Sequence, residues 1–356
     1  MSLLIGDLAP AFTVATTSRA RFVFDTAAGR YLLVCILPRH DAGFADLLDR
    51  TIANHRLLLD DTNIAFFGVV RDPAQLGART DSIPGVRWML DPDLVASNAF
   101  DMPEEGRSGA GWLLIDPSFR IMATCDLEQT QALFDLLPTL PPLALHAGVE
   151  TSAPVLVAPR ILEPNICQAL IQAYEAAGGE ASGFMREVDG RTVEVRDASH
   201  KIRRDHNLPL GPLRDTVRAR IERRLLPLIH KVFQFTATRM ERDLVACYDA
   251  AESGFFSAHR DNTTAGTVHR RFAVTINLNA EDYEGGDLRF PEFGPKLYRA
   301  PTGGAVVFSC SLLHEASVVT RGRRYAFLPF LYDEAGAALR EKNAGLVGEV
   351  GYEYRA

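Results

Sequence analysis

Residues 136–160 read "LLPTLPPLALHAGVETSAPVLVAPR" and hold Pro138, Pro141, Pro142, Pro154 and Pro159. Each proline fixes φ and removes a backbone donor, so neither a helix interior nor a central strand runs through this stretch. The chain has 356 residues, more than one ordinary domain. The proline seam therefore predicts two domains: residues 1–137, a linker over 138–158, and a second domain over 159–356. No internal repeat or low-complexity tract is visible on either side.

Composition narrows the class. Apolar residues make up 47% and charged residues 23%, the balance of a globular chain with enough core to fold unaided. A net charge of −7 argues against nucleic acid as a partner, because phosphate binding wants a basic footprint. No apolar run reaches the length of a membrane span, and "MSLLIGDLAP" lacks the basic start of a targeting signal. Cys35, Cys125, Cys167, Cys247 and Cys310 are scattered, with no C-x-x-C, which predicts buried thiols in a reducing cytoplasm.

In the first half, "YLLVCIL" (31–37) and "IAFFGVV" (64–70) are bounded as buried strands are. "AGFADLLDRTIANHRLLL" (42–59) places Phe44, Leu47, Leu48, Ile52 and His55 near one helical face. "GWLLIDPSFRIMATC" (111–125) reads as two strands around Asp116-Pro117, and the alternation predicts an α/β sheet. The strings "GDLAPAFTV", "LLVCILPRHDAGF", "IPGVRWMLDPDLVASNAFDM" and "WLLIDPSFRI" resemble the peroxiredoxin branch of the thioredoxin fold over about residues 3–137. That resemblance implies a peroxidatic cysteine opening the helix after Pro38, where a helix N-terminus stabilises a thiolate. Residues 39–50, "RHDAGFADLLDR", contain none, so peroxidase chemistry is expected to be lost and Cys35 to be an inert core residue.

In the second half, helices are expected over 163–179 and 211–233, followed from about residue 238 by a run of strands. This predicts a β-sandwich or jelly roll with helices outside it. The string "GFFSAHRDN" (254–262) tests the chemistry. A kinase catalytic loop would need Asn five residues after Asp261, where Gly266 stands, and an Asp-Phe-Gly, for which the chain offers only "EFG". A metal site fits better. On a strand, His259 and Asp261 share a face, and two His with one carboxylate form the facial set of non-haem iron(II) oxygenases. His314 in "VVFSCSLLHEASVV" suits the third ligand. Arg324, in "RGRRYAFLPFLYD", supplies the cation that a distal carboxylate needs. Arg323 competes for that role, and strand alternation favours Arg324.

The strings "VACYDAAESGFFSAHRDN", "INLN", "YEGGDLRFPEF", "LYRAPTGGAVVFSC", "LLHEASVV" and "GRRYAFLPFLYD" resemble the prolyl-hydroxylase branch of the iron(II)/2-oxoglutarate dioxygenases. The resemblance covers residues 240–333, extending to about residue 155 through the helices, and implies a double-stranded β-helix (jelly roll). It implies iron(II) held by His259, Asp261 and His314, with 2-oxoglutarate anchored by Arg324 and touched by Tyr248. O2 would be consumed and ascorbate would be the reductant. Asn277 stands where many members have Tyr, which alters one cosubstrate contact. Arg270, or its neighbour Arg271, corresponds to a position that faces substrate. His200, His206 and His269 lack ligand spacing and are expected to be exposed polar residues. The charged "DASHKIRRDHN" (197–207) is expected to be a solvated face, with the border of the active-site mouth as the alternative. By the resemblance, 186–206 lies where members place substrate-covering elements.

The expected function is a cytoplasmic hydroxylase acting on a prolyl residue of a polypeptide and releasing succinate and CO2. A free amino acid or small metabolite is the alternative substrate. The first domain is expected to serve protein docking or dimerisation. Thiol peroxidase and non-catalytic scaffold readings are disfavoured by the missing cysteine and by the retained ligand set respectively.

Overall fold

The computed structural model describes residues 3–38, 42–102 and 109–348, and divides into two compact units. The first runs to Ala153 and also takes in Phe290–Lys296; the second takes the remainder from Pro154.

The first unit is a seven-stranded sheet flanked by helices. Its order is Phe22–Val23, Thr13–Thr16, Val86–Leu90, Ile64–Val70, Tyr31–Ile36, Gly111–Ile115 and Ile121–Cys125. The three central strands, Val86–Leu90, Ile64–Val70 and Tyr31–Ile36, are parallel, and the outer ones antiparallel. Every residue of Tyr31–Ile36 and Ile64–Val70 is buried, which suits strands covered on both faces. The helix Ala42–Asn54 buries Phe44, Leu48 and Ile52, at i, i+4 and i+8. Leu47 falls off that face and is exposed, and the helix stops at Asn54, short of the expected 59. Cys35 is fully buried, and burial pushes its thiol well above the usual range.

The expected tether over 138–158 is corrected: its two ends belong to the two cores. Pro141 O accepts a hydrogen bond from Tyr31 Oη at 2.9 Å, and Leu140 and Leu143 pack on the first core. Leu156–Ala158 pairs with Ala305–Ser309 in the second unit, so the units divide at Ala153/Pro154. Prolines stop regular ladders, but they leave side chains and carbonyls free to pack and accept. Nor is the second unit a continuous segment, since Phe290–Lys296 belongs to the first.

The second unit is a helical layer on a large antiparallel sheet, which faces a smaller one. The large sheet contains Phe330–Tyr332, Phe272–Asn277, Arg323–Phe327, Leu244–Asp249 and Arg204–Asn207 in that order, with Ala305–Ser309 also pairing with Phe272–Asn277. The small sheet orders Lys201–Ile202, Phe255–His259, His314–Ala316, Leu288–Arg289 and Leu297–Tyr298. Alternation along Leu244–Asp249 sorts the faces. Val245 and Cys247 join Leu170, Val217 and Ile229 of the helices, whereas Leu244, Ala246 and Tyr248 meet Phe256 and Ala316 of the small sheet. Helix Pro164–Ala177 ends at Gly178 with φ 83°, a left-handed cap that glycine adopts without strain. The helix expected over 211–233 is two helices, Pro212–Arg224 and Leu226–Phe233. Pro227 explains the break, because it lacks an N–H and its ring clashes with the preceding turn. Among the described residues, no helix is long and apolar enough to cross a membrane.

Candidate metal and carboxylate site

His259 ends the strand Phe255–His259 and is the direct cross-strand partner of His314, which begins His314–Ala316. Asp261 lies just past the strand end, in a turn, so the i, i+2 strand parity expected of it does not apply. One ligand atom from each of the three lies within 4.8 Å of the others. His259 Nε2 is 3.6 Å and His314 Nε2 3.3 Å from the Asp261 carboxylate. His259 Nδ1 faces Ser257 O at 2.7 Å and His314 Nδ1 faces Leu312 O at 3.0 Å. A carbonyl can only accept, so each Nδ1 carries the hydrogen and each Nε2 presents its lone pair toward the carboxylate. Burial, with His259 beside it, lowers His314 to about 4, so its imidazole is neutral at physiological pH. Burial by itself would raise the Asp261 carboxyl; positive charge beside it, the Arg270 guanidinium included, outweighs burial and holds it below the usual range. Acceptors therefore converge on one point, the donor set of a divalent cation.

Arg324 is the cross-strand partner of Tyr248, and Asn277 lies on the same face, one strand over, opposite Ala326. Arg324 is 2% exposed, and its guanidinium lies 5.0 Å from the Tyr248 ring centroid. Its Nε and Nη1 have no hydrogen-bond partner among the described residues, and neither does the buried Asn277 Oδ1. Asn277 Nδ2 donates to Ala300 O at 2.7 Å. A buried cation with idle donors is costly unless an anion completes it. The competitor, Arg323, is half-exposed and bonded to Asp249 at 2.7 Å. Gly286 lies against this cradle: its φ is +66°, and a Cβ there would stand 3.1 Å from Arg324 Cδ and 2.7 Å from Val319 Cγ2.

No protein-family profile matches the chain. Among curated proteins, a PKHD-type hydroxylase of Pseudomonas fluorescens (strain Pf0-1) is 33% identical over 182 residues, covering 46% of this chain and 69% of that protein. The chain belongs to the PKHD-type hydroxylases. Two Synechococcus members of that family, strains JA-2-3B'a(2-13) and JA-3-3Ab, are each 30% identical over 138 residues, 35% of this chain. The match spans 58% of the length of each. A solved prolyl-4-hydroxylase of Pseudomonas putida aligns at 17% identity and a TM-score of 0.39, covering 51% of this chain and 93% of that one.

Within this PKHD-type hydroxylase chain, the structure corrects two expectations. Arg270 is 4% exposed and paired with Glu241 at 2.5 Å, so it backs Asp261 instead of facing a substrate. Arg271 Nη1 donates to Val268 O at 2.9 Å, which spends a donor on its own turn. His269 is 1% exposed and bonded to Glu241 at 2.6 Å, and His200 sits partly buried with its ring centroid 6.5 Å from that of His259. The charged segment also holds two residues that sequence reasoning missed. Lys201 and Arg203 are buried; Lys201 Nζ lies 4.9 Å from the Phe256 ring, and Arg203 Nη1 donates to Tyr248 Oη at 3.4 Å. Alternation in "KIRRDH", with positions 201, 203 and 205 on one side, was the available signal.

Proposed function

We propose that the chain is an iron(II)- and 2-oxoglutarate-dependent hydroxylase acting on a prolyl residue of a polypeptide. The observation that carries this reading is Arg324, a buried cation whose Nε and Nη1 have no partner among the described residues, on the sheet facing the His259–Asp261–His314 cluster. Both halves fit the implied groups: two imidazole nitrogens and a carboxylate for iron(II), and a guanidinium fork for the distal carboxylate of a 2-oxo diacid. When bound, the iron and cosubstrate supply oxidative decarboxylation to succinate and CO2, with O2 as oxidant and ascorbate as the reductant that keeps the metal ferrous.

The protein's own part is positioning. His259 and His314 present Nε2 lone pairs because their Nδ1–H groups are committed to carbonyls. Asp261 stays ionised and adds the negative charge that balances part of the metal's. Tyr248 receives a hydrogen bond from Arg203, which leaves its own O–H free to donate beside Arg324. Asn277 Oδ1 faces the same interior as an acceptor.

The polypeptide substrate rests on the prolyl-hydroxylase resemblance and on the hydroxylase relatives. For the first unit we propose a thioredoxin-like domain that docks protein, with its strand order supporting the fold. Incubating the protein with iron(II), ascorbate, 2-oxoglutarate and proline-containing peptides tests the reading. Succinate release with a one-oxygen mass gain on proline is the expected result. Stimulation only by a free amino acid or small metabolite would replace the substrate, and no turnover with any substrate would sink the activity.

A further inference from the structure

Asp261 lies beyond the strand ladder that fixes His259 against His314, so its position has to be set by other bonds. Its amide donates to Cys310 O at 2.9 Å, and the Cys310 amide donates to Arg271 O at 2.9 Å. Its carbonyl accepts from Arg270 Nη1 at 3.4 Å. This brings a buried guanidinium beside the one anionic member of the proposed metal set.

What restrains that guanidinium is Glu241. Its Oε1 accepts from Arg270 Nη2 at 2.5 Å and from Nε at 3.2 Å, and its Oε2 lies 2.6 Å from His269 Nε2. Glu241, His269 and Arg270 are 5%, 1% and 4% exposed. The Phe330 ring packs 4.1 Å from the Arg270 guanidinium, closing the other side. A buried ion pair of this kind is often no more stabilising than apolar residues of the same volume, so stability alone is a weak reason for it. A cation beside a metal ligand has a more specific consequence. An Arg fork matches a carboxylate in a two-pronged geometry, and an unrestrained Arg270 would compete with the metal for Asp261.

We propose that Glu241 is a positioning residue that sequesters Arg270, keeping the Asp261 carboxylate available to the metal. The inference rests on His259, Asp261 and His314 being the ligands. Glu241 acts through Arg270 and does not itself touch the metal.

The test is cobalt(II) and zinc(II) binding to the metal-free full-length protein by titration calorimetry, with thermal melting of the same samples reporting the fold. Glu241→Gln removes the carboxylate charge that holds Arg270 and is expected to weaken metal binding about tenfold or more, the size typical of groups that orient metal ligands. The double variant Glu241→Gln/Arg270→Met removes the competing cation and should recover affinity to within about threefold of the parent. Arg270→Met alone should also stay within about threefold, and it carries the test if Glu241→Gln does not fold. Unchanged affinity in a folded Glu241→Gln overturns the proposal. So does a double variant as weak as Glu241→Gln, or a tenfold loss in Arg270→Met. A parent protein that binds neither metal would remove the ligand assignment itself, a different failure from any of these.

Discussion

Tyr248 and Arg324 are direct partners across adjacent antiparallel strands, and the guanidinium of Arg324 lies 5.0 Å from the Tyr248 ring centroid. The pair points into the space between the two sheets, where His259 and His314 pair on the facing sheet. Arg323, one residue away, points outward to Asp249 and Glu175. A single step along the strand thus separates a surface ion pair from a buried anion anchor.

Arg324→Ala should therefore raise the 2-oxoglutarate requirement at least about tenfold, because truncating one partner of a buried charge pair costs about 2–5 kcal/mol. Arg323→Ala should leave that requirement unchanged, since exposed pairs contribute little. Succinate formation measured against cosubstrate concentration distinguishes the two. A loss confined to Arg323→Ala would move the anchor by one residue.

How far the site was legible in sequence depended on whether the signal was local. His259, Asp261 and His314 stood out by residue type and by the family resemblance, although the strand parity that linked His259 to Asp261 fails past the strand end, and alternation chose Arg324 over Arg323. The pairing of Arg270 was not legible because its partner, Glu241, lies 29 residues away on the strand Arg239–Glu241. A charge pair between a loop and a distant strand is set by tertiary packing, which "VHRRF" does not contain. The seam was similarly half-legible. Its prolines marked a boundary, but the assignment of Phe290–Lys296 to the first unit depends on tertiary packing alone.

Glu241 also gives a pH signature. Burial by itself would raise its carboxyl, but Arg270, His269 and Arg242 hold it below its ordinary value of 4.5. A carboxyl depressed on folding contributes stability that is fully present above pH 4.5 and is lost as pH falls toward the folded value. The stability gap between the parent and Glu241→Gln should be wide at pH 7 and narrow progressively below pH 4.5. Urea unfolding at a series of pH values measures it, and a gap that stays constant down to pH 3 would mean the carboxylate charge is not what matters.

Leu170→Ala tests the helical layer separately from the chemistry. Leu170 is fully buried among Val217, Ile221 and Val245, and its truncation should cost about 2–5 kcal/mol of stability. The 2-oxoglutarate requirement of the folded variant should match that of the parent. A shifted requirement at unchanged stability would show that this layer shapes the site directly.

In the full-length protein, thiol-dependent peroxide consumption should stay at background, and Cys35→Ala and Cys125→Ala should not change it. Burial raises both thiols, so little thiolate is present to attack peroxide. Peroxide reduction abolished by either substitution would restore a redox role to the first unit.

The proposed iron chemistry depends on Asp261. The measurement is succinate formed from 2-oxoglutarate by the iron(II)-supplied protein, compared between the parent and Asp261→Ala, with circular dichroism confirming that both are folded. Turnover by the parent and none above background by Asp261→Ala is the predicted result. Equal turnover by the two proteins would contradict the site.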